Sequence, residues 1–228
     1  MKKFILASLA AAVFVTFVGC GKKVKGTEKV PKATENSTAA DEETTEADSY
    51  EPLATVRERD IVSSDEFDYE TLDGGVIITK YKGSDTAVEI PAEIGGAPVK
   101  EIGFYAFEAN KDVTSVALPE SVETVAEGAF IDCTALTEIN LPAGLKKIES
   151  GAFAGCTSMA EITIPAEVQS IQEGAFSGCN ALTIMTVLSQ ELKYQNWGLE
   201  ELPNLVIYAP ENSAAAEWAS ALGKYAIY

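Results

Sequence analysis

A fixed repeat constrains this 228-residue chain more than any other feature. Ala-Phe recurs at Ala106-Phe107, Ala129-Phe130, Ala152-Phe153 and Ala175-Phe176, each pair 23 residues after the last. Cys133, Cys156 and Cys179 keep the same step, and so do Pro119, Pro142 and Pro165. A period in the twenties is the signature of a solenoid, in which each coil buries its apolar side only against its neighbours.

The cleanest copy is Leu136, Ile139, Leu141-Pro142, Leu145, Ile148, Ala152-Phe153, Cys156. The next runs Met159, Ile162, Ile164-Pro165, Val168, Ile171, Ala175-Phe176, Cys179, and the one before runs Val113, Val116, Leu118-Pro119, Val122, Val125, Ala129-Phe130, Cys133. The first coil opens at Val88 and Ile90-Pro91. It carries extra residues around Gly95-Gly96 that stretch its step to 28, and it has Asn110 where later coils have cysteine. Ile139 and Leu141 stand two apart, as alternate inward residues of a short strand do. Pro142 then removes a backbone donor and ends the ladder. Hydrophobic residues make up 46% of the chain and aromatics only 8%, so the shared core is mainly aliphatic.

The Ile-x-Leu-Pro strand, the Gly-Ala-Phe turn (Gly128-Ala129-Phe130, Gly151-Ala152-Phe153, Gly174-Ala175-Phe176) and the following cysteine resemble the BspA-type leucine-rich repeat of bacterial surface proteins. The resemblance runs from about Val88 to the C-terminus. It implies a β-rich leucine-rich-repeat solenoid with a parallel strand ladder, displayed outside the cell and often used in adhesion or protein binding. A scaffold of this kind does not dictate its function.

The flanks of the repeats are expected to close the core. Residues 60–87 alternate at Phe67, Tyr69 and Thr71, turn at Asp73-Gly74-Gly75 and alternate again at Val76 and Ile78, which predicts a β-hairpin cap. The repeats fill 88–188. Residues 189–228 hold a degenerate last repeat, a strand over Leu205–Tyr208 and a helix from Ala214 to Leu222. Ser213 would cap that helix, Gly223 would stop it, and Trp218, Ala221 and Leu222 would share its buried face.

The N-terminus has the makings of an export signal over residues 1–19. Lys2 and Lys3 precede an apolar run from Phe4 to Val18, shorter than the roughly 20 residues a membrane span needs. Phe17-Val18-Gly19-Cys20 resembles a lipobox, which implies lipidation of Cys20 and anchoring at the bacterial cell membrane, with the domain facing the extracellular side. Residues 20–59 are acidic and poor in large aliphatics, the composition of a disordered tether. Its ~40 residues would span ~35 Å root-mean-square.

Charge and composition exclude much. With 17 basic and 35 acidic residues the chain carries −18, and no basic stripe offsets it, so nucleic acid is not an expected partner. Histidine is absent, which removes Ser-His-Asp and Cys-His nucleophile systems and the commonest metal ligand. The three repeat cysteines match no zinc spacing and are expected to be small, inert core residues. No cofactor, metal or catalytic residue is assigned.

The positions that vary between coils are the candidate binding face. One outward strand column is Ser115, Glu138, Glu161 and Ile184, and its neighbour is Ala117, Asn140, Thr163 and Thr186. Rungs ~4.8 Å apart would make Glu138 and Glu161 close neighbours. Tyr194 and Trp197, in an irregular segment, are candidate flanking contacts. The expected role is non-catalytic binding of a protein or glycan by a monomer. A subunit docking an envelope protein of the same cell is the alternative. A hydrolase built on Glu138 and Glu161 is a third reading, disfavoured because such a face offers no deep pocket.

Overall fold

The computed structural model describes residues 61–192 and 195–227. The expected hairpin is present. Strand β2 (Phe67–Leu72) pairs antiparallel with β3 (Gly75–Tyr81), and β1 (Ile61–Ser63) adds outside β2. A register shift between Asp68 and Tyr69 breaks the simple alternation: Phe67 and Glu70 are buried while Thr71 and Leu72 are exposed. The extra residues of the first coil form a second, tight hairpin of β5 (Glu93–Ile94) and β6 (Ala97–Ile102), turning at Gly95 and Gly96 with φ of 63° and 83°.

From there the chain winds as a solenoid with two parallel ladders. The first holds the strands expected from the sequence: β4 (Ala87–Glu89), β7 (Ser115–Ala117), β9 (Glu138–Asn140), β11 (Glu161–Ile164), β13 (Ile184–Val187) and β14 (Val206–Ala209). The second was not anticipated. After β3 and β6 it continues through β8 (Thr124–Val125), β10 (Lys147–Ile148) and β12 (Ser170–Ile171), in the segments read only as turning the chain back. The Ala-Phe turns add a third line of stitching. Phe107, Phe130 and Phe153 donate their N–H groups to Ala129, Ala152 and Ala175 of the next coil, each at 2.8 Å. These lines of hydrogen bonds hold consecutive coils in step, and the extra residues of the first coil are looped out as the β5–β6 hairpin without shifting the pairing of β4 with β7 or of β6 with β8.

The core lies between the ladders and the turns. The Ala-Phe pairs are buried in every coil, and the rings of Tyr81, Phe107, Phe130, Phe153 and Phe176 stack in one column with centroids 4.9–5.5 Å apart. Offset stacking of this kind contributes about 0.5–1.5 kcal/mol per pair beyond the area buried. Beside the column each thiol donates to a carbonyl of the coil before: Cys133 to Phe107 at 3.0 Å, Cys156 to Phe130 at 3.2 Å and Cys179 to Phe153 at 3.1 Å. Asn110 in the first coil instead accepts from the N–H groups of Asp112 and Val113, closing its own turn.

At the C-terminal end, α1 (Ala214–Ala221) begins where Ser213 accepts a hydrogen bond from the Ala216 N–H at 3.1 Å. Its buried face differs from the expected one. Ala215, Ala216 and Ala219 are buried, Trp218 and Leu222 are half-buried, and Ala221 faces solvent. The small alanines bring the helix backbone close, which larger side chains would prevent. A final strand, β15 (Tyr225–Ile227), returns parallel to β14 and was absent from the sequence reading.

Candidate binding face

The outward positions of the first ladder lie in register as expected. Ser115 pairs with Glu138 and Ala117 with Asn140, while Glu161 pairs with Ile184 and Thr163 with Thr186. Ala117, Glu138, Asn140, Glu161, Thr163 and Ile184 are exposed, and Ser115 and Thr186 are half-buried. Their inward neighbours Val116, Ile162 and Met185 are buried, which is the period-2 geometry of a strand with one face in the core.

The strip is not one continuous ladder. Strands β4, β7 and β9 form one sheet, and β11, β13, β14 and β15 form another, with no strand pairing between β9 and β11. Glu138 and Glu161 therefore stand on consecutive coils across an interruption, rather than on hydrogen-bonded neighbouring strands. The β9 rung also seats less deeply. Ile139 and Leu141 are half-buried, whereas Val116, Leu118, Ile162 and Ile164 in the flanking coils are buried.

Asn140 explains part of this. Its side-chain oxygen accepts from the Leu118 N–H at 2.6 Å, and its amide nitrogen donates to the Leu118 carbonyl at 3.2 Å. It ties β9 to the coil before it, so the side chain is engaged in the fold as well as lying on the face. Toward the N-terminal end, Ala87, Glu89, Ser115, Ala117, Glu138 and Asn140 line an open trough of about 330 Å³. Small side chains make its floor and two carboxylates its rim.

Trp197 does not flank this surface. It is fully buried, its ring meeting Trp218 edge-on at 4.7 Å, and its carbonyl accepts the Phe176 N–H in place of the usual alanine. Trp197 thus packs in the core against the C-terminal helix rather than on the strand face. Tyr194 and Cys20, with the signal and tether, lie outside the described residues.

The sequence reading missed a charged column on the second ladder. Lys100, Glu123 and Lys146 stand 23 residues apart, and the Glu123 carboxylate bridges both ammonium groups at 2.7 and 2.5 Å. Hydrogen bonds from the two lysines hold its pKa down at about 2. The period alone would have placed the three in one column. Beside them Glu101 has its carboxyl raised by burial, with Glu149 adding to the effect and Lys147 opposing it. Among the described residues, no group of three or more Cys, Asp or Glu side chains is arranged to hold a metal ion.

The chain is similar to a leucine-rich repeat protein of T. pallidum, with 36% identity and a TM-score of 0.60 over 65% of this chain and 71% of that one. It is similar as well to a leucine-rich repeat protein of Bacteroides capillosus, with 33% identity and a TM-score of 0.51 over 56% of this chain and 97% of that one. The pneumococcal vaccine antigen PcpA shares the fold alone, at 21% identity and a TM-score of 0.50, over 70% of this chain and 46% of that one. No curated protein matches the chain. The family described as the BspA type leucine rich repeat region matches residues 88–202 in 6 copies. The fold, the buried repeat signature and this match agree: the chain belongs to the BspA-type leucine-rich repeat family.

Proposed function

We propose that this protein is a non-catalytic binding module of the bacterial cell surface, exported by residues 1–19, lipid-anchored at Cys20 and held off the membrane by the acidic tether. It binds its partner through the outward strand face. The observation that carries this reading is a division of labour. The residues that repeat from coil to coil, the Ala-Phe pairs and the cysteines, are buried, while the strand residues that differ between coils stand exposed on one face. Evolving such a face changes ligand preference without disturbing the core.

Five or six rungs give a flat area of only ~300 Å², against the ~800 Å² each partner contributes to a standard interface. Single contacts are therefore weak, and many anchored copies on one cell add avidity.

Two experiments test the reading. Cys20→Ser should release the protein to the medium or leave it unprocessed, and an unchanged mature mass and location would overturn the anchor. Surface-displayed full-length protein should capture extracellular proteins or glycans, and substitution of the exposed strand residues should abolish capture. Recovery of a single stoichiometric partner from the cell's own envelope would replace adhesion with an accessory-subunit role. Turnover in a hydrolase panel, lost on Glu138→Gln, would overturn the non-catalytic assignment.

A further inference from the structure

The outward column of the first ladder is graded along the solenoid. It runs Ala87, Ser115, Glu138 in register on one sheet and Glu161, Ile184, Val206 in register on the next. Small residues come first, then two carboxylates, then two β-branched aliphatics. Ile184 is 39% exposed and Val206 37%, with Leu188, just past the end of β13, at 40% and Tyr208 of β14 half-buried. Ile184 adjoins Glu161 directly, and Val206 stands one rung further on.

From this grading we infer that the face takes a cationic protein segment, whose Lys or Arg side chains meet Glu138 and Glu161 while its aliphatic side chains cover Ile184 and Val206. The inference rests on the binding-module reading above and names the partner's chemistry. Charge complementarity selects the occupant. Residues 61–228 carry 25 acidic and 8 basic residues, a net of −17, and the strands of this face contain no Lys or Arg. Lys224, which leads into β15 beside β14, is engaged with the Leu202 carbonyl.

Other occupants fit less well. A second copy of this chain would set Glu138 and Glu161 against its own carboxylates, at a cost that screening only reduces. A neutral glycan is recognised chiefly by stacking on open aromatic faces, and among the described side chains of β4, β7, β9, β11, β13 and β14 Tyr208 is the one aromatic, already half-buried. A cationic, aliphatic segment satisfies both halves of the surface at once.

The spacing constrains the segment. The acidic and aliphatic rungs are centred two rungs apart, roughly 10 Å along the solenoid. An extended segment lying along that axis rises ~3.3 Å per residue and turns only alternate side chains to one face, so its cationic and aliphatic side chains should stand four residues apart, about 13 Å, with the long Lys or Arg side chain reaching back across the difference.

The test uses the purified full chain and short synthetic peptides. One carries Arg and Leu at the favoured separation, a second has the same composition with the spacing scrambled, and a third has Glu for Arg. Neutral glycans serve as the other arm. The first peptide should bind weakly and at least about ten-fold tighter than the Glu version, with an advantage that shrinks as salt rises. Glu138→Lys with Glu161→Lys should abolish binding. Ile184→Ser with Val206→Ser should weaken it about ten-fold while leaving its salt dependence intact. All four positions are exposed, so unchanged thermal unfolding confirms that the variants fold.

Equal binding of the Arg and Glu peptides overturns the inference. So does glycan binding that Ile184→Ser with Val206→Ser abolishes, but that outcome leaves the strand face standing as the binding surface. Peptide binding untouched by either pair of substitutions overturns the strand-face reading itself.

Discussion

The rings of Phe130 and Phe153 lie 5.5 Å apart with their planes 3° from parallel, two links in a column that runs from Tyr81 to Phe176. Each ring serves as floor for one coil and ceiling for the next. Truncating one therefore opens a void that two coils share, and the backbone bonds flanking it, from Phe130 to Ala152 and from Phe153 to Ala175, oppose collapse. Phe153→Ala should cost about 3–5 kcal/mol, with Phe153→Leu costing less, as read by urea unfolding. If the alanine variant lost under about 1 kcal/mol, the column would not be the element that holds the coils together.

The seating of β9 makes a sharper comparison. Ile139 and Ile162 occupy the same repeat position, but only Ile162 is buried. Ile162→Ala should fall in the range of about 2–5 kcal/mol for buried aliphatics, and Ile139→Ala clearly below it. Equal losses in urea unfolding would contradict the interruption between β9 and β11.

The thiols of Cys133, Cys156 and Cys179 are buried, and burial pushes the pKa of Cys133 and of Cys179 up to about 12 and that of Cys156 higher still. Since the thiolate is the reacting species, all three should resist a thiol reagent at pH 8 in the native protein and react together on denaturation. A rate that tracks global unfolding as urea is added is the expected result. One fast-reacting thiol among the three would contradict it.

Glu123 links acid stability to a defined window. Its folded pKa, about 2, lies below the ordinary glutamate value of 4.5, so the ion triad stabilises the fold at neutral pH and that contribution is lost as pH falls from 4.5 toward 2. The triad is solvent-facing, so the effect is small and salt-sensitive. The melting temperature of Glu123→Gln should lie below that of the wild type at pH 7 and converge with it by pH 2. A gap that stayed constant over that range would rule out the triad as its source.

Two glycines separate backbone strain from steric clash. Gly151 has φ of 61°, and a Cβ there would meet only the Ala154 Cβ, at an ordinary contact distance of 3.9 Å, so Gly151→Ala should cost about 1–2 kcal/mol from conformation alone. Gly198 has φ of 86°, and a Cβ there would come within 2.8 Å of the Ser177 backbone. Gly198→Ala should cost more, measured by thermal unfolding of the two variants side by side.

The 23-residue step by itself determined the coils, the burial of the Ala-Phe pairs and cysteines, and the columns of outward residues, because stacking repeats each local environment at a fixed interval. Ser213 likewise announced its helix, since capping is a local bond. Other features depended on where coils meet in space. Pairing between β9 and β11 turns on small backbone displacements that the repeat pattern does not encode, and Asn140 biases them through a bond to Leu118. Trp197 falls in the slot of Gly174 by simple counting, but the backbone slips and sends its ring into the core. The helix turns Ala215, Ala216 and Ala219 inward because their small side chains let its backbone approach the underlying strands, a packing requirement the local pattern does not carry. Periodicity reports what repeats; the interruption and the slipped tryptophan arise where the repeat is broken, and there only tertiary contacts choose.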